Sequence, residues 1–531
     1  MRKLHKFHGG VHPPQHKTES SCLPIAAMPL PKRVIVPLRQ HIGAPAKVHL
    51  KVGDHVLKGE LIGVADGYIS AAVHAPTSGT VSAVDLHAVP HPSGLPDLCI
   101  TIDADGEDRW IEHQPIDYRT AAPDAVRTAL RDAGIVGLGG AVFPTYVKLN
   151  PGRQTGIKTL VLNGAECEPW ITSDDLLMRE RAAEIVEGIR IMAHLMQPEE
   201  VLIGIEDNKP EAIAAMRAAC QGTNFEVAAV PTLYPGGGEK QLIKVLTGKE
   251  VPSGQRPINI GVVCSNTATA YTVHRAINHG EPVISRIVTV TGNVQKPQNF
   301  EVLIGTPIEE IVRRAGGAIA DTSHYIVGGP MMGFDLTNLD APLTKAVNCI
   351  IAASSALFPP APPAMPCIRC GQCAQACPCN LQPQELYWFS QSRNFDKARA
   401  YNLFDCIECG CCSYVCPSHI PLVSFYRFAK SEINMQDREK IAADQAKEHF
   451  EFKKQREERE KQEKAARMAE KAAAAAAAKA AAAASGEAED PEAAAKKAAI
   501  QAAVERAKAK KAETAAATNE PAETANTTEP S

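Results

Sequence analysis

Long apolar runs are missing from the sequence. No stretch of about 18 strongly apolar residues occurs in the chain of 531 residues, whereas a helix that spans a bilayer needs about 20. The first residues, MRKLHKFHGGVHPPQHK, are polar and lack the apolar segment of a secretory signal. The sequence therefore predicts no spanning helix and no export, so attachment to a membrane would require partner proteins.

An excess of one charge is also missing. The chain has 56 Lys and Arg against 60 Asp and Glu, a net charge of −4. This balance leaves no basic surface of the kind that binds nucleic acid, so no nucleic-acid partner is expected. The length excludes a single hydrophobic core and predicts about three or four domains.

Cysteine is abundant but unevenly placed. Ten of the 16 cysteines fall between Cys367 and Cys416. A disulfide framework is excluded because such frameworks belong to small secreted domains, so the dense group is predicted to bind metal. The other thiols are expected to be buried and to act as small hydrophobes. They are Cys22, Cys99, Cys167, Cys220, Cys264 and Cys349.

Residues 31–110, which follow an N-terminal segment over 1–30, are predicted to form a small all-β unit. Short alternating runs such as KVHLKVGDHVLKGELIGV are separated by glycine turns. The order of these residues, together with HAPTSGTV, resembles the barrel-sandwich domains that carry biotin or lipoate. Those carriers present a lysine where Tyr68 stands here, so an unmodified, structural domain is expected.

Residues 111–280 alternate between helical and strand patterns. This alternation predicts an α/β domain with a largely parallel sheet, whose functional loops lie at the strand ends. One long helix is predicted over 174–196. Residues 281–350 have the strand, turn, strand, helix, strand pattern of a β-grasp module, with a hairpin at Gly292-Asn293.

Three further segments complete the predicted organisation. A proline-rich linker over 351–365 leads into the cysteine region over 366–436. Residues 437–531 are rich in Ala, Glu and Lys and have no apolar face, so a helical or disordered tail is expected. The fold class is thus multidomain, α/β and α+β.

Two copies of one cysteine motif lie 39 residues apart. CIRCGQCAQACP and CIECGCCSYVCP share the pattern C-x2-C-x2-C-x3-C-P, which is the spacing of bacterial ferredoxins with two [4Fe-4S] clusters. In those proteins the fourth cysteine of each motif binds the other cluster. The predicted ligands are a first cysteine set, Cys367, Cys370, Cys373 and Cys416, and a second cysteine set, Cys406, Cys409, Cys412 and Cys377.

Zinc is the alternative metal. Structural zinc sites use two C-x2-C pairs, whereas each motif here has a third cysteine and a trailing Cys-Pro, so iron–sulfur is favoured. Cys379 and Cys411 fall outside the pattern and are expected to have no ligand role. Because two adjacent clusters conduct single electrons, an electron donor is expected elsewhere in the chain.

Four segments of the α/β domain are candidates for that donor site. Glycines let a backbone approach phosphate closely, but the first loop is not the G-x-G-x-x-G fingerprint, and a tight turn would explain it equally well. The acids after Asn163 would also suit a cap for the helix that starts near Asp174. The segments are GIVGLGGAVFPTYVKLN (134–150), VLNGAECEPW (161–170), YPGGGEKQL (234–242) and CSNTATAY (264–271).

In their order, these segments resemble the flavin-bearing, NADH-binding subunit of respiratory complex I. The pattern G-x-G-G-A-x-F-P-T-x-x-K matches Gly137 through Lys148, and N-x-x-E-x-E-P matches Asn163 through Pro169. The resemblance implies contacts with FMN from Gly137, Gly139, Gly140, Lys148, Asn163, Glu166 and Asn266. It implies that Phe143, Glu168 and Glu239 lie nearer the nicotinamide nucleotide. The sequence departs from that family at Leu138, where an arginine is usual, at Val142, a glycine, and at Gly238, an acid.

Residues 1–435 resemble one family as a whole, the C subunit of the Rnf (Rsx) electron transport complex. KFHGGVHPP, HAPTSGTV, GLGGAVFPT, NGAECEP, GGPMMG and both cysteine motifs fit it. The resemblance implies a peripheral protein on the cytoplasmic face of the inner membrane, bound to integral-membrane and other subunits. It implies two [4Fe-4S] clusters, noncovalent FMN, NADH as substrate, and ferredoxin or another low-potential carrier as acceptor.

The predicted function is electron input to an ion-translocating complex. A hydride would pass from NADH to FMN, and single electrons would then pass through the clusters to a membrane partner. Because redox cofactors carry this chemistry, no side chain is predicted to be catalytic. Two alternatives remain open: a soluble NADH-linked dehydrogenase or hydrogenase subunit, and a structural iron–sulfur adaptor that binds no nucleotide. A surface or docking role is predicted for His5, His8, His12 and His16.

Overall fold

The computed structural model describes residues 2–150, 156–484 and 491–516. The chain divides into two compact units, Met1–Asn434 and Met435–Ser531. All the predicted site residues lie in the first unit. Within the described residues, no helix is both long enough and apolar enough to cross a membrane.

Two small antiparallel sheets form the β unit. Val36, Ile62 and Ile102, which come from three different strands, are fully buried in its core. Tyr68, which replaces the carrier lysine, is 63% exposed. The larger sheet has the order Arg33–Pro37, Pro96–Ala104, Gly79–Ala88, His55–Val56, and the smaller has Lys47–Val48, Leu61–Val64, Val73–His74.

A parallel four-stranded sheet organises the α/β domain, as the sequence predicts. Its order is Phe225–Val230, Glu200–Glu206, Thr159–Gly164, Val262–Asn266. The central strands are almost continuously buried, which is the pattern of a parallel sheet between layers of helices. The helices are Pro123–Asp132, Thr145–Lys148, Ser173–Glu180, Ala182–Met196, Pro210–Ala219, Glu239–Thr247 and Thr267–His279, with a 3-10 helix at Pro257–Ile260.

The single helix predicted over 174–196 is wrong. The structure has two helices there, which meet at Arg181, where φ is −127° and the regular helical backbone is interrupted. The break lets the first helix pack against Pro210–Ala219 and the second against Thr267–His279. Periodicity along the sequence does not reveal it because both helices keep an apolar face.

The β-grasp module is a six-stranded mixed sheet covered by the helix Ile308–Arg314, whose Ile308 and Ile311 are fully buried. The predicted hairpin at Gly292-Asn293 joins two antiparallel strands. The first edge strand comes from the N-terminal segment and pairs in parallel with its neighbour. The order is Ala26–Ala27, Gln298–Leu303, Ser285–Gly292, Cys349–Ser354, Thr322–Val327, Phe334–Asp335.

The cysteine region is built from short helices and loops. Its core contains the fully buried side chains of Leu386, Ala398, Leu403 and Tyr426, and cysteine side chains pack against them. The helices are Gln372–Ala376, Pro383–Gln391, Phe395–Ala400, Cys411–Tyr414 and the start of Leu422–Ala484, with a 3-10 helix at Leu403–Asp405.

The N-terminal segment runs across the modules of the first unit. Arg2 Nη2 lies 2.6 Å from Glu200 Oε2 in the α/β domain. Farther along, the Gly10 N–H donates a hydrogen bond to the Ala376 carbonyl of the cysteine region. The segment then forms the short helix Thr18–Ser21 and the edge strand of the β-grasp sheet. It therefore docks on three modules.

The tail contains the helices Leu422–Ala484 and Pro491–Ala516. Only the first turns of the former bury side chains, up to Ile433. From residue 438 onward, every side chain that the structure describes is exposed. The predicted disorder of the last residues concerns 517–531, which lie outside the described residues.

The expectation that the six scattered cysteines are buried is correct for Cys99, Cys220, Cys264 and Cys349. It is wrong for Cys22, which is exposed, and Cys167 is only half-buried. Cys22 ends the short helix Thr18–Ser21 at the surface, where its thiol donates a hydrogen bond to the Thr18 carbonyl.

Candidate functional site

The glycine loop, residues 134–150, is a tight turn with an open tip. The Gly137 N–H donates to the Phe143 carbonyl at 2.8 Å and closes the loop at its base. Gly140 has a φ of +105°, and no atom lies within 4 Å of the position that a β-carbon would take. Gly139 instead rests against Asn266, with 3.2 Å from the corresponding position to Asn266 Cβ. The tip therefore faces space that a ligand can enter.

Val142 occupies a strained conformation in this loop. Its φ is +41°, in the left-handed region that β-branched residues avoid at a cost of about 1–2 kcal/mol. This is the position where the complex I subunit has glycine. The loop thus keeps a glycine-type backbone without the glycine.

Leu138 replaces the usual arginine and is 2% exposed, packed with Ala71 and Val136. Its backbone is held on both sides: Thr269 Oγ1 accepts its N–H at 2.8 Å, and Arg286 Nη2 donates to its carbonyl at 2.6 Å. Burial lowers the pKa of Arg286 to about 10. The positively charged side chain that contacts this loop, Arg286, therefore belongs to the β-grasp module.

Glu166 caps the helix Ser173–Glu180. Its carboxylate accepts the N–H groups of Asp174 at 2.7 Å and Asp175 at 3.1 Å, which suits the positive end of a helix. Burial raises the pKa of Glu166 to about 8, against the lowering effect of Lys17. The capping role that the sequence left open is thus present in the structure.

Two buried lysines hold the same loop from the other side. The Lys209 ammonium donates to the Ala165 carbonyl at 2.7 Å and forms an ion pair of 3.0 Å with Glu206. Lys17 Nζ donates to three loop carbonyls at 2.6–2.9 Å, those of Glu166, Glu168 and Ile171. Sequence reasoning missed both lysines, because their positions in the chain are far from the loop or lack any motif.

Polar side chains from different segments meet beside the glycine loop. Lys148 Nζ lies 2.6 Å from Glu239 Oε1, and both side chains are more than a third exposed. Asn163 Nδ2 donates to the Gly237 carbonyl at 2.8 Å. The structure therefore brings the first three predicted segments together.

Asn266 connects the fourth segment to the second. Its Oδ1 accepts the N–H groups that begin the helix Thr267–His279, and its Nδ2 donates to Asp174 Oδ2 at 2.5 Å. Phe143 is half-buried in the loop. Nine of the ten predicted cofactor-binding residues thus lie in or around one face of the α/β domain. Glu168 is the exception, because its carboxylate contacts the β-grasp module.

Glu168 faces the β-grasp module. Its carboxylate accepts the N–H groups of Met331 at 2.7 Å and Met332 at 3.0 Å, in the GGPMMG turn. The approach is close, because a β-carbon on Gly329 would lie 2.0 Å from Glu168 Cγ. Burial raises the pKa of Glu168. The NGAECEP segment, which contains Glu168, and the GGPMMG turn are both recognisable motifs, but nothing in the sequence indicates that they contact each other.

A cavity of about 270 Å³ lies where the β unit, the α/β domain and the β-grasp module meet, with Trp110, Tyr271 and Arg286 in its wall. Among the described residues that line it, none belongs to the ten predicted cofactor-binding residues. The open tip at Gly140 and the polar groups of Lys148, Glu239 and Asn163 fit a flavin nucleotide better, because they combine free space with hydrogen-bonding groups.

The cysteines of the two motifs converge as two crossed groups. A cavity of about 500 Å³ is lined by all four members of the first cysteine set, Cys367, Cys370, Cys373 and Cys416. A smaller one is lined by all members of the second cysteine set, Cys406, Cys409, Cys412 and Cys377. Within the described residues, no group of three or more His, Cys, Asp or Glu could hold a metal ion. A cubane cluster differs from a lone ion because each thiolate binds a different iron, so thiol groups spread around a cavity fit it.

The two motifs have matching backbone geometry. The second of the two residues between the first two cysteines adopts a left-handed conformation in each copy, Arg369 with φ +56° and Glu408 with φ +57°. The N–H of each donates to the first cysteine sulfur, Cys367 or Cys406, at 3.4 Å. Such N–H to sulfur bonds stabilise a thiolate and tune a cluster's potential.

Cys379 and Cys411 lie close to the second cysteine set. Cys379 is in the wall of the same cavity, and burial raises its pKa to about 12. Cys411 is fully buried, and its sulfur lies 4.0 Å from the Tyr234 carbonyl. Their lack of a ligand role stays a prediction.

The two cysteine sets differ in exposure. Cys370 of the first set is exposed, and the neighbouring Met365 and Ile368 are 61% and 68% exposed. In the second set, Cys377, Cys409 and Cys412 are buried. The second cysteine set is therefore more deeply buried than the first.

The N-terminal histidines do not converge. His8 Nδ1 lies 2.9 Å from the Cys377 carbonyl, and the His16 ring stacks on Trp170 with 4.2 Å between centroids. His5 lies beside Gly248, and His12 is exposed. These separate contacts fit a docking segment.

Family models match most of the chain. They are the RnfC barrel sandwich hybrid domain at residues 5–107, the Nuo51 FMN-binding domain at 130–275, the SLBB domain at 287–335 and the 4Fe-4S dicluster domain at 366–420. Together with the fold, they define the class: a multidomain oxidoreductase subunit with an FMN-binding domain and a domain for two [4Fe-4S] clusters.

Curated relatives that are named as the C subunit of an ion-translocating oxidoreductase complex are similar over 85–86% of this chain. The Pseudomonas aeruginosa protein is 50% identical, the Klebsiella pneumoniae protein 47% and the Yersinia pestis protein 48%. The chain therefore belongs to the family of C subunits of ion-translocating oxidoreductase complexes, the RnfC family. It spans 58%, 60% and 73% of the length of these relatives, respectively.

One solved structure that the fold matches is an NAD+-reducing [NiFe]-hydrogenase in the H2-reduced state. It is 19% identical, with a TM-score of 0.44, over 60% of this chain and 63% of that one. This likeness is too low to support a conclusion about the present chain.

Proposed function

We propose that this chain is the electron-input subunit of a membrane-bound complex that couples electron transfer between NADH and ferredoxin, or another low-potential acceptor, to ion translocation. The observation that supports this most is the pair of crossed cysteine sets, packed against a domain of the FMN-binding type. FMN, when bound, supplies the conversion between a two-electron hydride and single electrons.

The glycine loop and its neighbours hold the flavin nucleotide in this proposal. Gly140 leaves room for the ligand, and Lys148, with Glu239, supplies charge at the rim. Glu166 and Asn266 act mainly through the helix ends that they cap. The full set remains Gly137, Gly139, Gly140, Lys148, Asn163, Glu166 and Asn266 for FMN, with Phe143, Glu168 and Glu239 nearer NADH.

The two cysteine sets hold the clusters, and their exposure supports an order. The second cysteine set is the input side, because Tyr234 of the α/β domain donates a hydrogen bond to the carbonyl of Cys409. The first cysteine set is the output side, because Cys370 and the apolar Ile368 beside it are open to a partner. Burial of the input side excludes water from the route.

The partners follow from this order. The acceptor is a redox subunit or ferredoxin that approaches the exposed face at Ile368. The chain is peripheral, on the cytoplasmic face of the inner membrane, and integral-membrane subunits of the complex carry the ion. The family name of the relatives, which refers to a subunit of an ion-translocating complex, supports this arrangement.

Anaerobic reconstitution with iron, sulfide and FMN, followed by titration with NADH and with NADPH, tests the proposal. We expect flavin uptake, iron–sulfur absorbance, and bleaching of both by NADH. Cluster absorbance without flavin uptake or NADH bleaching would instead identify a structural adaptor. A chain found free in the cell extract, and absent from washed membranes, would identify a soluble NADH-linked subunit.

A matched pair of variants tests the ligand sets. Cys377→Ser removes a member of the second cysteine set and should reduce bound iron from about eight to about four atoms per chain. Cys379→Ser, two residues away in the same cavity wall, should keep all the iron. Equal losses in both variants would show that the assignment of Cys377 is incorrect.

A further inference from the structure

Tyr234 lies where the α/β domain, the N-terminal segment and the cysteine region meet. Its side chain is 2% exposed, and its backbone forms a bridge with Val11. Its hydroxyl donates a hydrogen bond of 2.6 Å to the carbonyl oxygen of Cys409, a member of the second cysteine set. One side chain therefore connects the flavin-type domain to the loop that is proposed to hold a cluster.

Glu168 lies close to the Tyr234 side chain. Burial raises the pKa of Glu168, and the hydrogen bonds from Met332 and Met331 lower it in part. A tyrosine has only one O–H to donate. In the structure this O–H is donated to the Cys409 carbonyl.

The surroundings of this hydroxyl leave little freedom of movement. A β-carbon on Gly410 would lie 2.8 Å from the Met331 carbonyl oxygen, and one on Gly329 would lie 2.0 Å from Glu168 Cγ. The 328–333 turn of the β-grasp module is therefore packed between the Glu168 loop and the Cys409 loop with no space for a methyl group. The distance between the two loops is fixed by direct contact.

We propose that Tyr234 is a positioning residue for electron transfer between the flavin site and the cluster held by the second cysteine set. This inference rests on the proposed function. The hydroxyl fixes the Cys409 carbonyl against the Glu168 loop, and its O–H dipole points its positive end toward the cysteine loop. That dipole stabilises the extra negative charge of a reduced cluster. Tyr234 keeps its own proton and electrons throughout.

The test is a redox titration of the reconstituted full chain. Chemical mediators and dithionite set the potential, and electron paramagnetic resonance measures the fraction of each cluster that is reduced. In Tyr234→Phe, which removes only the hydroxyl, one of the two clusters should become harder to reduce. At a fixed potential its ratio of reduced to oxidised form should fall about threefold to tenfold, and tenfold is 59 mV for a one-electron couple. The other cluster should not change.

Two further variants make the result decisive. Site-specific 3-fluorotyrosine at position 234 keeps the hydroxyl and makes it a stronger donor, so the same cluster should become easier to reduce. If Tyr234→Phe does not assemble its clusters, this variant tests the inference in its place. Tyr118→Phe removes another buried hydroxyl of the α/β domain, one that donates to Glu187 at 3.0 Å, and should leave both clusters unchanged.

Unchanged potentials in the assembled Tyr234 variants, or equal shifts of both clusters, would overturn the inference. This outcome is distinct from failure of the proposed function. The mediators reduce the clusters without NADH, so the titration reports on Tyr234 even if NADH does not bleach the wild-type protein. Conversely, a wild-type protein that NADH reduces normally can still show no effect of Tyr234.

Discussion

Lys345 is a buried cation whose hydrogen-bond partners are backbone carbonyls. It is 1% exposed, and its ammonium donates to Ala72 at 3.0 Å and to Gly134 at 2.7 Å, at the start of the glycine loop. Burial lowers its pKa to about 7, from 10.5. Lys345 of the β-grasp module therefore links the β unit, through Ala72, to the α/β domain, through Gly134. The link requires that the amine be removed from water, which disfavours its charged form.

This lowered pKa predicts the pH dependence of stability. Between about pH 7 and pH 10.5 the unfolded chain binds a proton at Lys345 and the folded chain does not, so the contribution of Lys345 to the free energy of unfolding rises as the pH rises. Lys345→Met should remove roughly 3–5 kcal/mol of that rise. Urea unfolding of both proteins at pH 7 and pH 10 measures it.

The exposed Lys51→Met provides the control for this prediction. Its side chain lies at the surface of the β unit, so its unfolding curves should keep the wild-type pH dependence. If Lys345→Met and wild type gained the same stability between the two pH values, the lowered pKa of Lys345 would be refuted.

At the scale of elements, the duplicated cysteine motif offers an internal comparison. Gly371 and Gly410 occupy equivalent positions, with φ of +78° and +81°. A β-carbon on Gly371 would meet nothing within 4 Å, whereas one on Gly410 would lie 2.8 Å from the Met331 carbonyl oxygen. The same turn is therefore free in one copy and packed against the β-grasp module in the other.

Alanine at these two glycines should have unequal effects. Gly371→Ala adds only the strain of a left-handed backbone, about 1 kcal/mol. Gly410→Ala adds the same strain and must also displace the 328–333 turn, so a loss of about 2–4 kcal/mol is expected. Thermal unfolding of the two variants, with bound iron measured alongside, compares them. Equal losses would mean that the contact with Met331 does not fasten the two modules.

At the scale of the whole molecule, the two compact units differ in what they bury. Every predicted ligand lies in the first unit, and from residue 438 onward each described side chain is exposed. Burial of apolar surface is the main source of stability. The long tail helices should therefore add little to the stability of the cofactor-binding unit.

Truncation after residue 437 tests this division. The shortened chain should bind the same iron and flavin as the full chain, with a stability change below about 0.5 kcal/mol, as measured by iron content and urea unfolding. Truncation after residue 421 provides the comparison. It removes Leu422, Tyr426 and Ile433 from the core of the cysteine region, so it should abolish cluster binding. Loss of iron after the first truncation would contradict the division.

Local patterns in the sequence determined most of the architecture. The alternation of helical and strand patterns predicted the parallel sheet, and the Gly292-Asn293 turn predicted the hairpin, because both signals are local in the sequence. The cysteine spacing predicted two crossed groups of thiols, because in ferredoxins with this spacing the fourth cysteine of each motif binds the other cluster. The resemblance to the RnfC family, confirmed by the relatives, supplied the family.

Only the tertiary structure decided which distant residues meet. The break at Arg181 and the contact of Lys209 with Ala165 depend on packing inside the α/β domain. The contacts of Lys17 with the Glu166 loop and of Glu168 with the 328–333 turn depend on packing between modules. The Lys17–Glu166 and Glu168–Met331 contacts join residues 149 and 163 positions apart, and no local periodicity encodes them. The sequence determined the modules and their ligand-type residues, whereas folding of the modules against one another set their burial, their hydrogen-bond partners and the contact of Tyr234 with Cys409.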